Sequence, residues 1–401
     1  MNPLTVFMII HDDFPPEPRV EREVEALHSH GLSLHILAGN TRGDPLLERL
    51  PHIAVHRLAM PPRPLRRFAK LCSLPFFLNP RWIFAALRLI LKLRPDVLHV
   101  HDLPLAPIGI FFARLFRKKL VLDLHENYPA LLKTIYRGTL FEFLFKNPSL
   151  AALLERLCVR LADRILVVVP EQLPRLQKMG ADPLRIHVVG NGEPLDPHIA
   201  QFRLDALLAG AADSLDIAYV GRFEPSRGLH LLIRAFAALS REFPDARLFL
   251  VGAGPAEPAL KSLAFSLGAN DRIVFTGWLP FGEMYDVIER SCVGVVPHED
   301  SELFHTTLPH KLFQYMALGK PVVATDTAAL RRVVAGENCG LVVPYGDTDA
   351  MSGAFRTLLS DGALRRRLGA NGIRAVAEKY SWQHDSAELI NAYRQEFPAI
   401  R

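Results

Sequence analysis

The stretch Val295–Asp326, VVPHEDSELFHTTLPHKLFQYMALGKPVVATD, reads as strand, long loop, short helix, tight turn and strand. Val293 to Val296 is an apolar run stopped by Pro297, the pattern of a parallel strand buried on both faces. Pro309 suits a first helical position, where its missing N–H costs nothing. The helix is expected to bury Leu312, Phe313, Met316 and Ala317 and to end at Gly319 in a left-handed cap. Lys311 and Gln314, three residues apart, then fall on the opposite, forward face. A loop leading from a strand's carboxyl end into a helix N-terminus, with a lysine in the first turn, suits an anionic ligand.

Upstream, the apolar run Ile217 to Val220 opens into Gly221-Arg222-Phe223-Glu224-Pro225-Ser226-Arg227-Gly228. Two cations five apart on a strand-to-helix loop suit a diphosphate. A capped turn with solvent-facing arginines explains the framing glycines less well. Leu248 to Val251 leads into Gly252-Ala253-Gly254-Pro255, where the proline spoils a dinucleotide pattern. Asp347-Thr348-Asp349 has the D-x-D form of a metal motif. It immediately precedes a helix from Ala350 to Leu359, so an N-cap and first-turn acid account for it better.

The first half alternates short apolar strands with helical stretches, as in a doubly wound parallel sheet. The strands are expected at 6–10, 33–38, 53–58, 96–100, 119–124, 164–169 and 186–189. The loop after the first, HDDFPPEPR, has no glycine, so a phosphate contact there would fall to Arg19. The fourth and fifth end in His101-Asp102 and His125-Glu126-Asn127, where an open parallel sheet lines its crevice. A lone histidine is more often structural than catalytic, but here a histidine and a glutamate leave the strand together. Ala130 to Leu161 is apolar and helical, suited to an acceptor channel or to core.

Two domains are natural for 401 residues. The N-terminus has no basic n-region before its apolar strand, so no secretory signal is expected. The four cysteines are scattered without metal-ligand spacing and fit a reducing cytosol. Residues 57–95 hold nine basic side chains and no acidic one, against +5 for the whole chain. A local basic segment on an otherwise acidic protein points to one surface rather than to nucleic acid. Arg81, Arg88 and Lys92 share a stripe of its helix, beside Phe76, Phe77, Trp82 and Phe84. Two readings stand: a solvated helix face, or a patch on the inner face of the cytoplasmic membrane.

PHKLFQYMALGKPVVATD and GRFEPSRG resemble the donor-site segments of family 4 glycosyltransferases. DLHENYP, RIHVVGNGEP and the G-x-G-P turn extend the resemblance over nearly the whole chain, closest to a bacterial surface-polysaccharide branch. It implies an α/β GT-B fold, two Rossmann-like doubly wound parallel-sheet domains facing a central cleft. Residues 1–195 would bind the acceptor and 205–379 the donor, with a C-terminal helix, 380–401, packing back on the first domain. The implied reaction is retaining transfer from a nucleotide-diphosphate sugar to a saccharide or polyprenyl-linked acceptor, with no cofactor and no metal. His125, Arg222 and Arg227 would be catalytic. Gly221, Trp278, Leu279, Thr306, Thr307, Leu308, His310, Lys311 and Gln314 would join both arginines around the donor. His101, Asp102, Glu126 and Asn127 would meet the acceptor. The family's two glutamates eight apart fall here at Thr306 and Gln314. That departure keeps a binding-only protein in view, beside a sugar-nucleotide 2-epimerase.

Overall fold

The computed structural model describes residues 3–59, 79–135, 139, 146–208 and 214–398. The chain parts into two compact units, Met1–Gly190 with Asp385–Arg401, and Asn191–His384. In the first, β1 (Thr5–Asp13), β2 (Ser33–Gly39), β3 (Leu47–Leu50), β4 (Ile53–Arg57), β5 (Val97–His101), β6 (Lys119–Leu124), β7 (Arg164–Val167) and β8 (Ile186–Val188) form one sheet. Their order is β3-β4-β2-β1-β5-β6-β7-β8, and only β3 runs antiparallel to its neighbour. Strand β3 escaped the sequence reading because LERL alternates exposed and half-buried residues at an edge and carries no apolar run. The last helix ties down the ends of several strands. Tyr393 bonds His99 at 2.8 Å, and Glu396 pairs with Lys119 and Arg164.

In the second unit, β9 (Ile217–Val220), β10 (Leu248–Val251), β11 (Ile273–Gly277), β12 (Val293–Val296), β13 (Val322–Thr325) and β14 (Gly340–Val343) are all parallel. Their order is β11-β10-β9-β12-β13-β14. The order reverses at β1/β5 in one sheet and at β9/β12 in the other. Loops leaving such a switch point diverge and leave a crevice at the strand carboxyl ends. The glycine-framed arginine loop leaves β9 and the long loop before the short helix leaves β12. Two motifs 70 residues apart in sequence therefore share one crevice.

The sequence placed the boundary between 195 and 205, but the units part at Gly190/Asn191. Helix Pro197–Leu208 belongs to the second unit, because Arg203 donates to the carbonyl of Ala317 and Leu207 lies against Gly319 and Gly369. Within the stretch read as helical, Ala130 to Leu161, the described residues form helices Tyr128–Ile135 and Pro148–Leu161. Asn147 caps the second by accepting from the amides of Ser149 and Leu150. Its clustered phenylalanines, 141, 143 and 145, lie outside the described residues, as do Phe76 and Phe77.

Candidate functional site

Helix His310–Ala317 carries the centre of the quoted stretch. Pro309 is its N-cap rather than its first residue, with extended φ and ψ. At the other end Gly319 has φ +65°, its amide bonds Met316, and the amide of Lys320 bonds Tyr315. This is a Schellman cap. Every residue from Lys311 to Ala317 is buried, which corrects the forward face expected for Lys311 and Gln314. Tyr315 explains this. Its hydroxyl accepts from the amide of Val220 at the end of β9. Lys311 lies four residues before Tyr315, hence on the same helix face, and is carried in with it.

The ammonium of Lys311 lies 3.7 Å from the centroid of the Tyr219 ring. Gly221 has φ +134°, backbone that favours glycine, and a Cβ there would sit 2.8 Å from that nitrogen and oblige the lysine to shift. Gly228 has φ +69°, and a Cβ there would meet the carbonyl oxygen of Pro297 at 1.8 Å. The glycines thus seat the arginine loop directly on the β12 loop. Arg227 is held between two residues of that loop. Its Nη1 donates to Nε2 of His298 at 3.1 Å, and its guanidinium lies 5.2 Å over the ring of Phe304. His298 is buried and tilts against Phe304, with ring centroids 4.3 Å apart.

Three basic groups therefore meet at the carboxyl ends of β9 and β12, and among the described residues no carboxylate pairs with Lys311 or Arg227. Burial, then Arg227, holds the Lys311 ammonium pKa well below its usual value. Burial, Arg227 and Lys311 do the same to His298, whose Nε2 accepts the hydrogen bond from Arg227 as a neutral ring does. Such a pocket stores unfavourable desolvation and like-charge repulsion that an anion would relieve. His298 was absent from the sequence reading. Its signal was weak: a histidine directly after the proline that ends β12.

Other expected donor residues are less concentrated. Arg222 is 69 % exposed and pairs with Glu224 at 3.3 Å, whereas Arg227 is held by His298 and Phe304. The Thr306 hydroxyl donates to the carbonyls of Glu302 and Leu303, and Leu308 is buried. Thr307 and His310 are half-buried, Leu279 likewise, and Trp278 is 61 % exposed just beyond β11. Asp347 accepts from the amide of Ala350 and caps helix Thr348–Ser360, with Asp349 in its first turn.

The first unit holds a buried ionic network at the ends of β1, β5 and β6. Arg19 binds Asp123 bidentately at 3.0 and 3.1 Å, touches Glu23 at 3.0 Å and donates to the carbonyls of Val189 and Gly190. Its expected phosphate contact gives way to this role, since it is only 2 % exposed. His125 is gripped from both sides. Its Nε2 bonds Asp123 at 2.8 Å, Nδ1 lies 3.5 Å from Asp102, and its amide donates to Asp102. Burial alone would lower the His125 pKa, but Asp102 and Asp123 outweigh it and raise it to about 10. Burial lifts Asp102 to about 6, while Arg19 and His125 hold Asp123 well below its usual range despite burial. Asp102 has φ +62° and ψ 164°, backbone that non-glycine residues rarely adopt, at a cost of about 1–3 kcal/mol.

Of the expected acceptor residues, His101 and Asn127 are buried and serve structure. His101 faces Asp123 and His125, and Asn127 caps the helix that follows it by accepting from Ala130. Asp102 and Glu126 are half-buried. Among the described residues Glu23, His99, His101 and Asp123 have a metal donor set, one atom from each within 4.8 Å of the others. The Arg19 guanidinium already supplies the cation to both carboxylates.

Two predictions arise here. The His125 pKa is higher folded than the usual 6.5, so its stabilisation is complete below pH 6.5 and is lost as pH rises through about 10. Melting temperature should fall less between pH 7 and 10 in His125→Gln than in the parent. An equal decline in both would mean that the ring is not charged. For His298→Ala, removing an acceptor from a cation should weaken nucleotide-diphosphate binding by about 10-fold or more. His298→Gln offers an oxygen near Nε2 and should recover most of it, and calorimetric titration of the three proteins compares them.

Two doubly wound parallel units, the second with an acid-free cationic pocket at its switch point, define a GT-B glycosyltransferase architecture. The description "Glycosyl transferase 4-like domain" matches residues 16–192, and "Glycosyl transferases group 1" matches 214–361. The chain belongs to the family 4 glycosyltransferases. It is 31 % identical over 186 residues to an alpha-D-kanosaminyltransferase of Streptomyces kanamyceticus, covering 46 % of this chain and 47 % of that enzyme. It is 28 % identical to a phosphatidyl-myo-inositol mannosyltransferase of Mycolicibacterium smegmatis, over 74 % of this chain and 70 % of the relative. With the lipopolysaccharide core biosynthesis glycosyltransferase LpsD of Rhizobium meliloti it shares 29 % over 54 % and 59 %. The chain thus spans about half the length of the first relative and well under two thirds of the third. Sucrose-phosphate synthase of Thermosynechococcus elongatus has the same fold, with TM-score 0.77 at 23 % identity over 99 % of this chain and all of that one. No helix among the described residues is long and apolar enough to cross a membrane.

Proposed function

We propose that this protein is a retaining glycosyltransferase that moves a sugar from a nucleotide-diphosphate sugar to a saccharide or polyprenyl-linked acceptor of the cell envelope, at the inner face of the cytoplasmic membrane. The observation that carries the donor half is the Arg227–His298–Lys311 pocket without a carboxylate. Breaking the anomeric bond puts negative charge on the departing diphosphate. Two desolvated cations and the first amides of helix His310–Ala317 would stabilise that charge as it grows. Retention in the resembled family is assigned to same-face attack, with the leaving phosphate helping to deprotonate the acceptor, so no nucleophilic carboxylate is required. For His125 the resemblance supplies a donor-sugar contact. Its environment adds that the ring would make that contact as an imidazolium, a hydrogen-bond donor and not a base.

The acceptor half rests on the names of relatives, which act on a phosphatidyl-inositol and in lipopolysaccharide core assembly. Incubation with a panel of sugar nucleotides and polyprenyl-diphosphate saccharides, followed by product analysis, tests the whole reading. Transfer with the anomeric configuration kept supports it. An epimerised donor, or a donor bound and returned unchanged, overturns it. The second outcome is the binding-only reading, motivated by Thr306 and Gln314 at the positions of the family's two glutamates; the Thr306 hydroxyl is held by its own helix.

Catalysis is expected without a divalent ion, because Arg227 and Lys311 would take the role that Mg²⁺ has on a diphosphate elsewhere. Turnover should survive EDTA. Activity lost to the chelator and restored by Mg²⁺ or Mn²⁺ would return Asp347 and Asp349 to consideration as ligands.

A further inference from the structure

Membrane attachment was expected from residues 57–95, but the structure redistributes that surface. Arg57 is buried, bonding Glu48 at 2.6 Å and the carbonyl of Phe14, and Trp82 is 5 % exposed in the core. What remains outward on helix Pro80–Leu93 is Phe84, Leu91, Arg88 and Lys92. This helix packs beside Ala106–Leu115, which in turn packs beside Pro148–Leu161. All three helices cross between successive parallel strands of one sheet. The second and third repeat the first one's surface chemistry. Phe111 and Leu115 are exposed with Arg114, and Leu153 and Leu157 are exposed with Arg156 and Arg160. Phe84, Phe111 and Leu153 are 70, 59 and 65 % exposed, although each belongs to a helix with a well-buried opposite face.

The charge pattern is one-sided. Pro80–Leu93 and Ala106–Leu115 contain no acidic residue, and the single acid of Pro148–Leu161, Glu155, is fully buried against Arg175. None of the cations named on these helices has a carboxylate partner among the described residues. Arg114 and Arg160 also donate to the carbonyls of Leu161 and Met179. Apolar side chains beside cations without carboxylate partners match a bilayer interface, where rings and leucines enter the acyl boundary and ammonium and guanidinium groups meet lipid phosphate. A second copy of the same face would bring cation against cation, so self-association is disfavoured.

We propose that the outward face of these three helices, not the 57–95 segment alone, docks the protein on an anionic bilayer. It deepens the membrane location proposed above and is independent of the transfer chemistry. The test is flotation with phosphatidylglycerol vesicles and with phosphatidylcholine vesicles, at low and high salt. The variants are Arg88→Glu with Lys92→Glu on the first helix, and Arg156→Glu with Leu157→Ser on the third. Both lie on solvated positions, and unchanged melting curves check folding. The expected result is binding to anionic vesicles that high salt weakens, reduced at least tenfold by either variant. No binding, equal binding to both lipids, or loss in the first variant only would overturn the three-helix face. Capture by nucleic acid with no vesicle binding would assign the surface to another polyanion and overturn it too. Turnover of a soluble acceptor should persist in both variants. Its absence in the parent as well would count against the transferase reading while leaving the vesicle result intact.

Discussion

Replacing Arg227 with alanine should lower kcat by about 10²–10³-fold while changing donor affinity less, once the donor is identified. The guanidinium is fixed by His298 and Phe304 beside Lys311 and has no carboxylate partner among the described residues. Its field therefore falls on whatever anion occupies the pocket, and the diphosphate gains charge as the sugar leaves. Arg227→Lys should retain part of the rate, since an ammonium keeps the charge without the planar fork. Arg222→Ala should cost far less, because that side chain is 69 % exposed and already faces Glu224. Steady-state kinetics on the three proteins decide the matter. Equal losses at positions 222 and 227 would show that the pocket described is not where the leaving group sits.

Asp123→Ala should unfold the first unit at a markedly lower temperature. The substitution strands Arg19, buried to 2 %, and removes the carboxylate that holds His125 and faces His101. Deleting one partner of a buried ion pair costs about 3–5 kcal/mol. In a domain of this size that is a fall in Tm of roughly 6–20 °C. The pH dependence has the opposite sense to that of His125. The folded Asp123 pKa is depressed, so its stabilisation is present above the usual 3.8 and is lost as pH falls through the lower folded value. Calorimetric scans with bound nucleotide separate the two transitions. The second unit has its own core, so its donor-dependent shift should persist in the variant. A Tm unchanged by the substitution would show that Arg19 finds water or another acceptor, and that the network is not what holds these strand ends.

Both predictions depend on residues whose types were plain in the chain and whose environments were not. Apolar runs stopped by proline or glycine were enough for nearly every parallel strand, because a strand buried on both faces must be continuously hydrophobic. The parallel strand β14 escaped that reading, and so did β3, an antiparallel edge strand with no such run. The two glycine-framed or proline-led loops, and the cations on them, were equally legible. Local rules determine these features: side-chain period, cap residues and backbone freedom at glycine.

Burial of polar groups was decided by the tertiary structure. Lys311 reads as a forward lysine on a short helix, yet Tyr315 anchors its face to Val220 of a strand 95 residues away. Arg57 reads as part of a basic surface segment and Arg19 as a phosphate contact, yet both are buried by partners distant in the chain, the carbonyl of Phe14 and the carboxylate of Asp123. His298 gained its role only when β9 and β12 became neighbours and brought Arg227 beside it. The reason is common to all four. A period or a cap involves residues within a few positions of one another, whereas a counter-charge or hydrogen-bond partner across a parallel sheet follows from strand order, which short-range sequence rules do not contain.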